Sequence, residues 1–264
     1  MNANKTSSAN GITVSPAPMN TSGITNIVID PDRSEHVAFE GRYFGDVGQY
    51  EKIRGTAYGE LDPKDPQNSV ITDIEFAQTN SKGMVEYSMD IFILKPKDLS
   101  KGNHRILFDF YNRGQMRVGL LNDATLTNTP STSEDAGTGF VMNLGYTIVS
   151  NGWDFGATGF HNMKINVPIA TNGQYPITGP SYEYIVFDNN DSSNYELAYP
   201  AATEDESNAK LTVRNRLSDE PSVIPDTEWE YTSLDRTAIK LLPDGACFKP
   251  VSYTHLTLPT NREV

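Results

Sequence analysis

Arg105-Ile106-Leu107-Phe108-Asp109-Phe110-Tyr111-Asn112-Arg113-Gly114 and Gly145-Tyr146-Thr147-Ile148-Val149-Ser150-Asn151-Gly152-Trp153 are the two runs on which the reading of the fold turns. Ile106, Phe108 and Phe110 alternate with Leu107, Asp109 and Tyr111. That is the period of a strand, with apolar and polar residues mixed on its second face as in a sheet covered by helices. Asn112-Arg113-Gly114 ends it. In the connection, Ser133 stands where a helix cap belongs, Glu134 and Asp135 occupy the first turn, and Ala136, Phe140, Val141 and Leu144 repeat at helical spacing. Gly145 supplies a left-handed stop. Residues 146–150 are β-branched and apolar at their centre, a second strand. A strand-helix-strand crossover returns parallel with a right-handed twist. The sequence therefore predicts an α/β fold in which residues 106–111 and 146–150 lie parallel in one sheet, with a helix over 133–144 packed on its face.

In open α/β sheets reactive groups gather at the carboxyl ends of the strands, which here are Asn112-Arg113-Gly114 and Asn151-Gly152-Trp153. A strand followed by a glycine-containing loop is one way to aim a backbone N–H at the oxyanion of an acyl-transfer intermediate, which makes Asn112, Arg113 and Gly114 oxyanion-loop candidates. The same three residues also read as an ordinary turn. Trp153 is a candidate wall of a substrate pocket, and equally a core residue, because a tryptophan buries a large area.

Motifs beyond these strands occur in a consistent order: Gly55-x-Ala57-x-Gly59-Glu60-Leu61-Asp62-Pro63-x-Asp65-Pro66-x-Asn68, Gly83-x-Val85-Glu86-Tyr87-Ser88, Asn112-Arg113-Gly114, and Gly139-Phe140 through Gly145-Tyr146-Thr147 to Gly152-Trp153, with Leu211-Thr212-Val213-Arg214 and Ile224-Pro225 further on. Together they resemble a bacterial family of α/β-hydrolase domain proteins over roughly residues 40 to 250. The resemblance implies a serine hydrolase acting on carboxylic esters, with a β-rich, antiparallel N-terminal part. It implies a small-molecule ester as substrate and no cofactor. The chain departs from the pattern in one respect: it has no Gly-x-Ser-x-Gly elbow for a nucleophile. Ser181, in Gly179-Pro180-Ser181-Tyr182-Glu183, comes nearest and reads as a Pro-Ser turn.

Residues 251–264 have a different origin on this reading. Residues 251–260 match, in frame, a translated transposase sequencing adapter, and such a scar is excluded from fold reasoning. The expectations are then a disordered polar leader over 1–23, the N-terminal part of an α/β-hydrolase domain over 24–250, and an adapter-derived tail that packs poorly. A truncated α/β-hydrolase fold lacking its nucleophile and catalytic histidine is expected to be inactive by itself.

The net charge of −13 argues against nucleic acid or an anionic membrane as partner, since neither attracts a surface of its own sign. A single cysteine, Cys247, excludes an internal disulfide framework and a cysteine-based zinc site. No apolar run is long enough to cross a bilayer, and the polar residues 1–20 lack the core of a signal peptide, which leaves the cytoplasm as the default compartment.

Asp30-x-Asp32-x-Ser34 opens like a calcium loop, but Glu35 stands where that loop needs glycine and Gly41 where it needs a bidentate glutamate. Asp188-Asn189-Asn190-Asp191 reads as a solvated turn. His36, His104 and His161 stand apart from any ligand partner, and His255 belongs to the tail, so no metal site is expected. Further strands are predicted at 27–29, 54–61, 70–76, 85–94, 167–170, 182–187 and 211–215, with a compact hairpin turn at Asn80-Ser81-Lys82-Gly83. Tyrosine abundance and Gly-rich turns also fit a second class, a non-catalytic β-sandwich that binds carbohydrate or a surface partner. Antiparallel pairing of the two strands, or no helix between them, would sink the hydrolase reading and promote that class.

Overall fold

The computed structural model of the chain describes residues 22–110, 113–157, 162–186, 194–214, 216–232, 238–242 and 253–261. Its framework is a mixed sheet of six strands: β1 (Gly23–Ile29), β2 (Tyr50–Leu61), β3 (Val85–Pro96), β4 (Ile106–Phe108), β5 (Thr147–Asn151) and β6 (Ile165–Asn166). β2 and β3 pair antiparallel from end to end, Tyr50 opposite Pro96 and Leu61 opposite Val85. β1 lies outside β2, β5 lies beside β3, and β4 closes the order β1-β2-β3-β5-β4 as an edge strand, while β6 adds to β3.

β4 and β5 are parallel, Ile106 opposite Thr147 and Phe108 opposite Val149, as the two apolar runs predict. The α/β class is nevertheless wrong, and with it the truncated α/β-hydrolase fold. Strand makes up 38% and helix 15%, and among the described residues there is a single α-helix, α1 (Phe140–Asn143), four residues long. The helix expected over 133–144 fails for a local reason. Gly137 and Gly139 hold φ of 52° and 70°, left-handed values that interrupt a helix. A Cβ on Gly137 would sit 2.2 Å from the Asn122 carbonyl oxygen, so the chain presses backbone to backbone there. Asp135, expected in a first helical turn, instead accepts the amides of Ser131 and Thr132, 2.8 Å each. α1 begins at the left-handed Gly139, and the Asn122 carboxamide oxygen accepts the Val141 amide, 2.9 Å. Ala136 and Val141 are buried as predicted, but Phe140 and Leu144 face solvent.

The crossover is held by β2 rather than by its own helix. Tyr50, Lys52 and Arg54 share the core-facing side of β2 and are all buried. The Tyr50 hydroxyl lies 3.0 Å from the carbonyls of both Met142 and Tyr146. Lys52 donates to Glu35 (2.6 Å), Ser131 Oγ (2.8 Å) and the Pro130 carbonyl (3.0 Å), and Arg54 donates to the Asn128 carbonyl (2.9 Å). Lys52 is thus paired with Glu35, while Arg54 is held by a carbonyl and lies 5.9 Å over the Phe92 ring, which is how two cations are tolerated on a buried strand face. Between them and the crossover, Phe92, Leu94, Ile148, Met116 and Met142 fill the core, with Phe39, Phe44 and Tyr50 edge to face at 5.6 and 5.5 Å.

The later part of the chain is antiparallel throughout its described pairings. β7 (Thr171–Asn172) and β8 (Tyr175–Pro176) form a small hairpin. β9 (Thr178–Val186), β11 (Lys210–Arg214), β12 (Ser222–Val223) and β15 (Tyr253–Asn261) form a sheet in the order β12-β11-β15-β9, and β10 (Asn194–Glu196), β14 (Ala238–Leu241) and β13 (Trp229–Tyr231) form another. A second core gathers around Trp229, Leu211, Ile239 and Leu241. The adapter-like segment thus hydrogen-bonds as β15 between β11 and β9.

Other expectations differ in detail. Residues 70–76 turn rather than extend, with Asp73 at φ 60° before a 3-10 turn at Ile74–Phe76. The turn at Asn80–Gly83 forms, yet it joins only Thr79 to Val85, because β3 takes β2 as its partner. Ser181 lies inside β9, not in a turn, and the strand expected at 167–170 is replaced by β6 just before it.

Candidate functional site

The segments that follow β4 and β5 meet through an ion contact and a ring stack. Arg113 Nε lies 2.9 Å from Asp154 Oδ2, whose side chain is 1% exposed. It is an ion contact without an aligned N–H, since Oδ2 has no hydrogen-bond donor, while Oδ1 accepts the Gly156 amide at 2.9 Å. Arg113 reaches this position with a left-handed φ of 43°, an uncommon value for a residue other than glycine and one that its three contacts must hold. Its Nη2 donates to the Ala198 carbonyl, 2.9 Å, and its guanidinium lies 5.1 Å over the Tyr199 ring. Tyr199 stacks in turn on Phe155 at 4.9 Å. The Ala198 amide donates to Glu183 at 2.9 Å. Burial pushes the Glu183 carboxyl above the usual range, opposed by the Ala198 amide and the Arg113 charge.

Gly114, next in the chain, is buried with φ 88°. Its carbonyl accepts from Asn128 Nδ2 at 2.6 Å and from the Met163 amide at 3.0 Å. A Cβ there would come within 2.9 Å of the Ala157 Cβ, so glycine is required by packing as well as by conformation. Asn112, the first of the three oxyanion-loop candidates, lies outside the described residues, as do Asp188 to Asp191 and His161.

Trp153 stacks on Phe110 at 5.8 Å and 8° and is 40% exposed. It lines an apolar cavity of about 340 Å³ with Leu61, Val85, Phe155, Ile165 and Pro168. Trp153 and Phe155 flank Asp154 in the chain, so the cavity wall and the Arg113 contact share one short segment. A polar groove of about 390 Å³ lies elsewhere on the sheet, lined by Tyr58, Glu60, Glu86, Tyr87, Ser88 and Asn166.

The calcium-like stretch is a closed turn: Asp30 Oδ1 accepts the amides of Asp32 and Arg33, and its other oxygen meets Arg33 Nε. His36 lies 3.5 Å from Glu51. Among the described residues no three His, Cys, Asp or Glu side chains gather as a metal site, and no serine is hydrogen-bonded to a histidine. No helix of the described residues is long and apolar enough to cross a membrane. What the arrangement can do is hold an apolar ligand near a buried carboxylate in contact with a partly exposed arginine.

Sequence reading brought out Arg113, Gly114 and Trp153 but missed Asp154 and Asn128. Asp154 was within reach: it is the acidic residue at the end of one strand of a parallel pair whose neighbour ends in arginine. Asn128, which accepts the Met116 amide at 2.7 Å and grips Gly114, carries no signal of its own in a polar loop. Comparison with protein-family models, with curated proteins and with solved structures gives no match to this chain.

Proposed function

We propose that the chain supplies the ester-binding part of a carboxylic-ester hydrolase, an acyl pocket beside the strand-end loops, and that it has no turnover of its own. The observation that carries this reading is Trp153 on the wall of an apolar cavity, one residue from the Asp154 contact that ties the ends of β4 and β5 together. The resemblance of the ordered motifs to bacterial α/β-hydrolase domain proteins points the same way and does not depend on the missing helix. Apolar walls with a few fixed polar groups suit a short acyl chain.

The test uses the intrinsic fluorescence of Trp153, since the other tryptophan, Trp229, is buried in the second core. A short-chain trifluoromethyl ketone should shift the emission of the full chain, and Trp153→Ala should abolish the shift. Activated short-chain esters should be hydrolysed no faster than in buffer. An unshifted spectrum removes the acyl pocket, and turnover that survives Ser181→Ala removes the inactive reading.

A second reading, a non-catalytic module that binds carbohydrate, is favoured by the β-rich architecture and by the groove where Tyr58 stands 44% exposed beside Glu60, Glu86 and Asn166. Aromatic faces and fixed amide or carboxylate groups are what a sugar ring needs. Oligosaccharide binding lost in Tyr58→Ala and kept in Trp153→Ala selects this reading over the first.

A further inference from the structure

β4 is the edge of the larger sheet, and its outer side is apolar and accessible. Ile106, Phe108 and Phe110 are 68%, 49% and 75% exposed. The backbone parity is fixed by β5: the Thr147 amide donates to the Arg105 carbonyl and the Asp109 amide donates to the Val149 carbonyl, at 3.0 and 2.9 Å. Odd-numbered residues of the strand therefore turn their polar groups inward, and Ile106 and Phe108 turn theirs away from β5. Among the described strands β4 has no other partner. Leu120 and Leu121, 62% and 54% exposed, border a groove of about 310 Å³ beside this edge. An edge of this kind is usually blunted by a bulge, a proline or a central lysine, and β4 has none of them.

We propose that the free edge of β4 is a self-complementary docking surface at which a second copy of this chain pairs antiparallel, with the two-fold axis at Leu107. Charge chooses the register. With the axis at Leu107, Arg105 of each copy stands opposite Asp109 of the other, Ile106 stands opposite Phe108, and the outward backbone groups of Ile106 and Phe108 meet. Moving the axis to Ile106 sets Arg105 against Leu107, and moving it to Phe108 sets Asp109 against Leu107. Only the central register satisfies both charges, and neither Arg105 nor Asp109 has an ion-pair partner within the described residues. Directly opposed cross-strand pairs of opposite sign stabilise an antiparallel ladder, and like charges there destabilise it. The pairing is isologous, so every favourable pair is made twice. The edge is also locally neutral, which offsets the repulsion expected between two copies of a chain of net charge −13.

Sedimentation velocity of the full chain should show a species of twice the monomer mass that dissociates on dilution. Arg105→Glu, which faces Asp109 with a like charge at two places, should raise the dissociation constant about tenfold or more. The pair Arg105→Glu with Asp109→Arg should restore it. Asp109 also accepts the amides of Arg117 and Val118, at 2.8 and 3.0 Å, so a second measurement does not depend on that carboxylate. In a Cys247→Ser background, oxidation should cross-link Leu107→Cys between copies, because residue 107 faces itself across the axis, and should leave Ile106→Cys and Phe108→Cys uncross-linked. Phe108→Pro removes an amide that β5 does not use and should give a folded monomer. A wild-type chain that stays monomeric at high concentration, a dimer untouched by Arg105→Glu and Phe108→Pro, or cross-linking at 106 or 108 instead of 107 overturns the proposal. The first of those outcomes leaves the edge to a strand from another protein.

Discussion

The two halves of this chain are both β-structure but are held together differently. In the first, β2 and β3 run side by side for twelve residue pairs, and one face of that ribbon buries aromatic rings, methionines and two cations, Lys52 paired with Glu35 and Arg54 hydrogen-bonded to a carbonyl, against a long crossover. In the second, strands are mostly short, and the two nine-residue strands, β9 and β15, pair with each other along their whole length. The first half is specified by long-range contacts that tie β2 and β3 to the crossover. The larger sheet of the second half depends on one strand, β15, whose sequence reads as adapter-derived. Depth of specification, not strand content, separates them.

That contrast is open to attack, beginning with its largest consequence. Removal of residues 251–264 should abolish amide protection in β9 and weaken it in β11, while leaving β2 and β3 as protected as in the full chain by hydrogen exchange. Unchanged protection in β9 would show that β15 is no part of the second sheet, in keeping with an adapter origin. Trp229→Ala comes next. Trp229 is 2% exposed at the centre of the second core, and its truncation should cost about 3–5 kcal/mol. Exchange should accelerate around β11, β13 and β14 alone, and equal acceleration in β2 would show that the halves unfold as one.

The smallest effect is on acidity, and the halves should respond with opposite sign. A hydrogen bond and charge from Lys95, with His36 adding to both, hold Glu51 on β2 below the usual carboxylate range against its partial burial. A lowered folded value gives stability that is present above the unfolded value and lost as pH falls through the folded one. Glu183 on β9 is raised by burial, so its contribution is full below the unfolded value and lost as pH rises through the folded one. From neutrality down to about pH 4, then, the second half should gain while the first holds, and the first should decline only below that. Residue-resolved exchange across this range should show the divergence, and Glu183→Gln should remove the gain. A parallel decline in both halves contradicts it.

Much of the first half was legible. The alternation at Ile106 to Phe110 and the β-branched run at Thr147 to Val149 gave a parallel pair, and Gly145 gave the left-handed stop just before its second strand. The intervening helix was misread because the periodicity of Ala136, Phe140, Val141 and Leu144 carries no mark of how near Asn122 comes to Gly137. Two glycines flanking Thr138 were the available warning. Lys52 and Arg54 were hidden in another way: charged residues on a strand are assigned to solvent unless their partners are known, and those partners are Glu35 and the backbone near residue 130. At the site, single residues were readable and their pairing was not. Arg113 and Trp153 stood out as strand ends, whereas the contact with Asp154 exists only once β4 and β5 are side by side.

The grip of Tyr50, Lys52 and Arg54 on the crossover fixes an order of events. The segment from Asn128 to Tyr146 has only turns and the four-residue α1 of its own, too short to nucleate alone, and it is tied to Tyr50, Lys52 and Arg54 of β2. The β2–β3 ribbon closes a far shorter loop and so must form first, acting as a template. The crossover and the β4–β5 pairing then condense on it late. During synthesis the chain would therefore carry its most apolar edge uncovered until residue 151 had emerged, and the speed of that final step, more than the depth of the native well, would govern how much of it survives to fold.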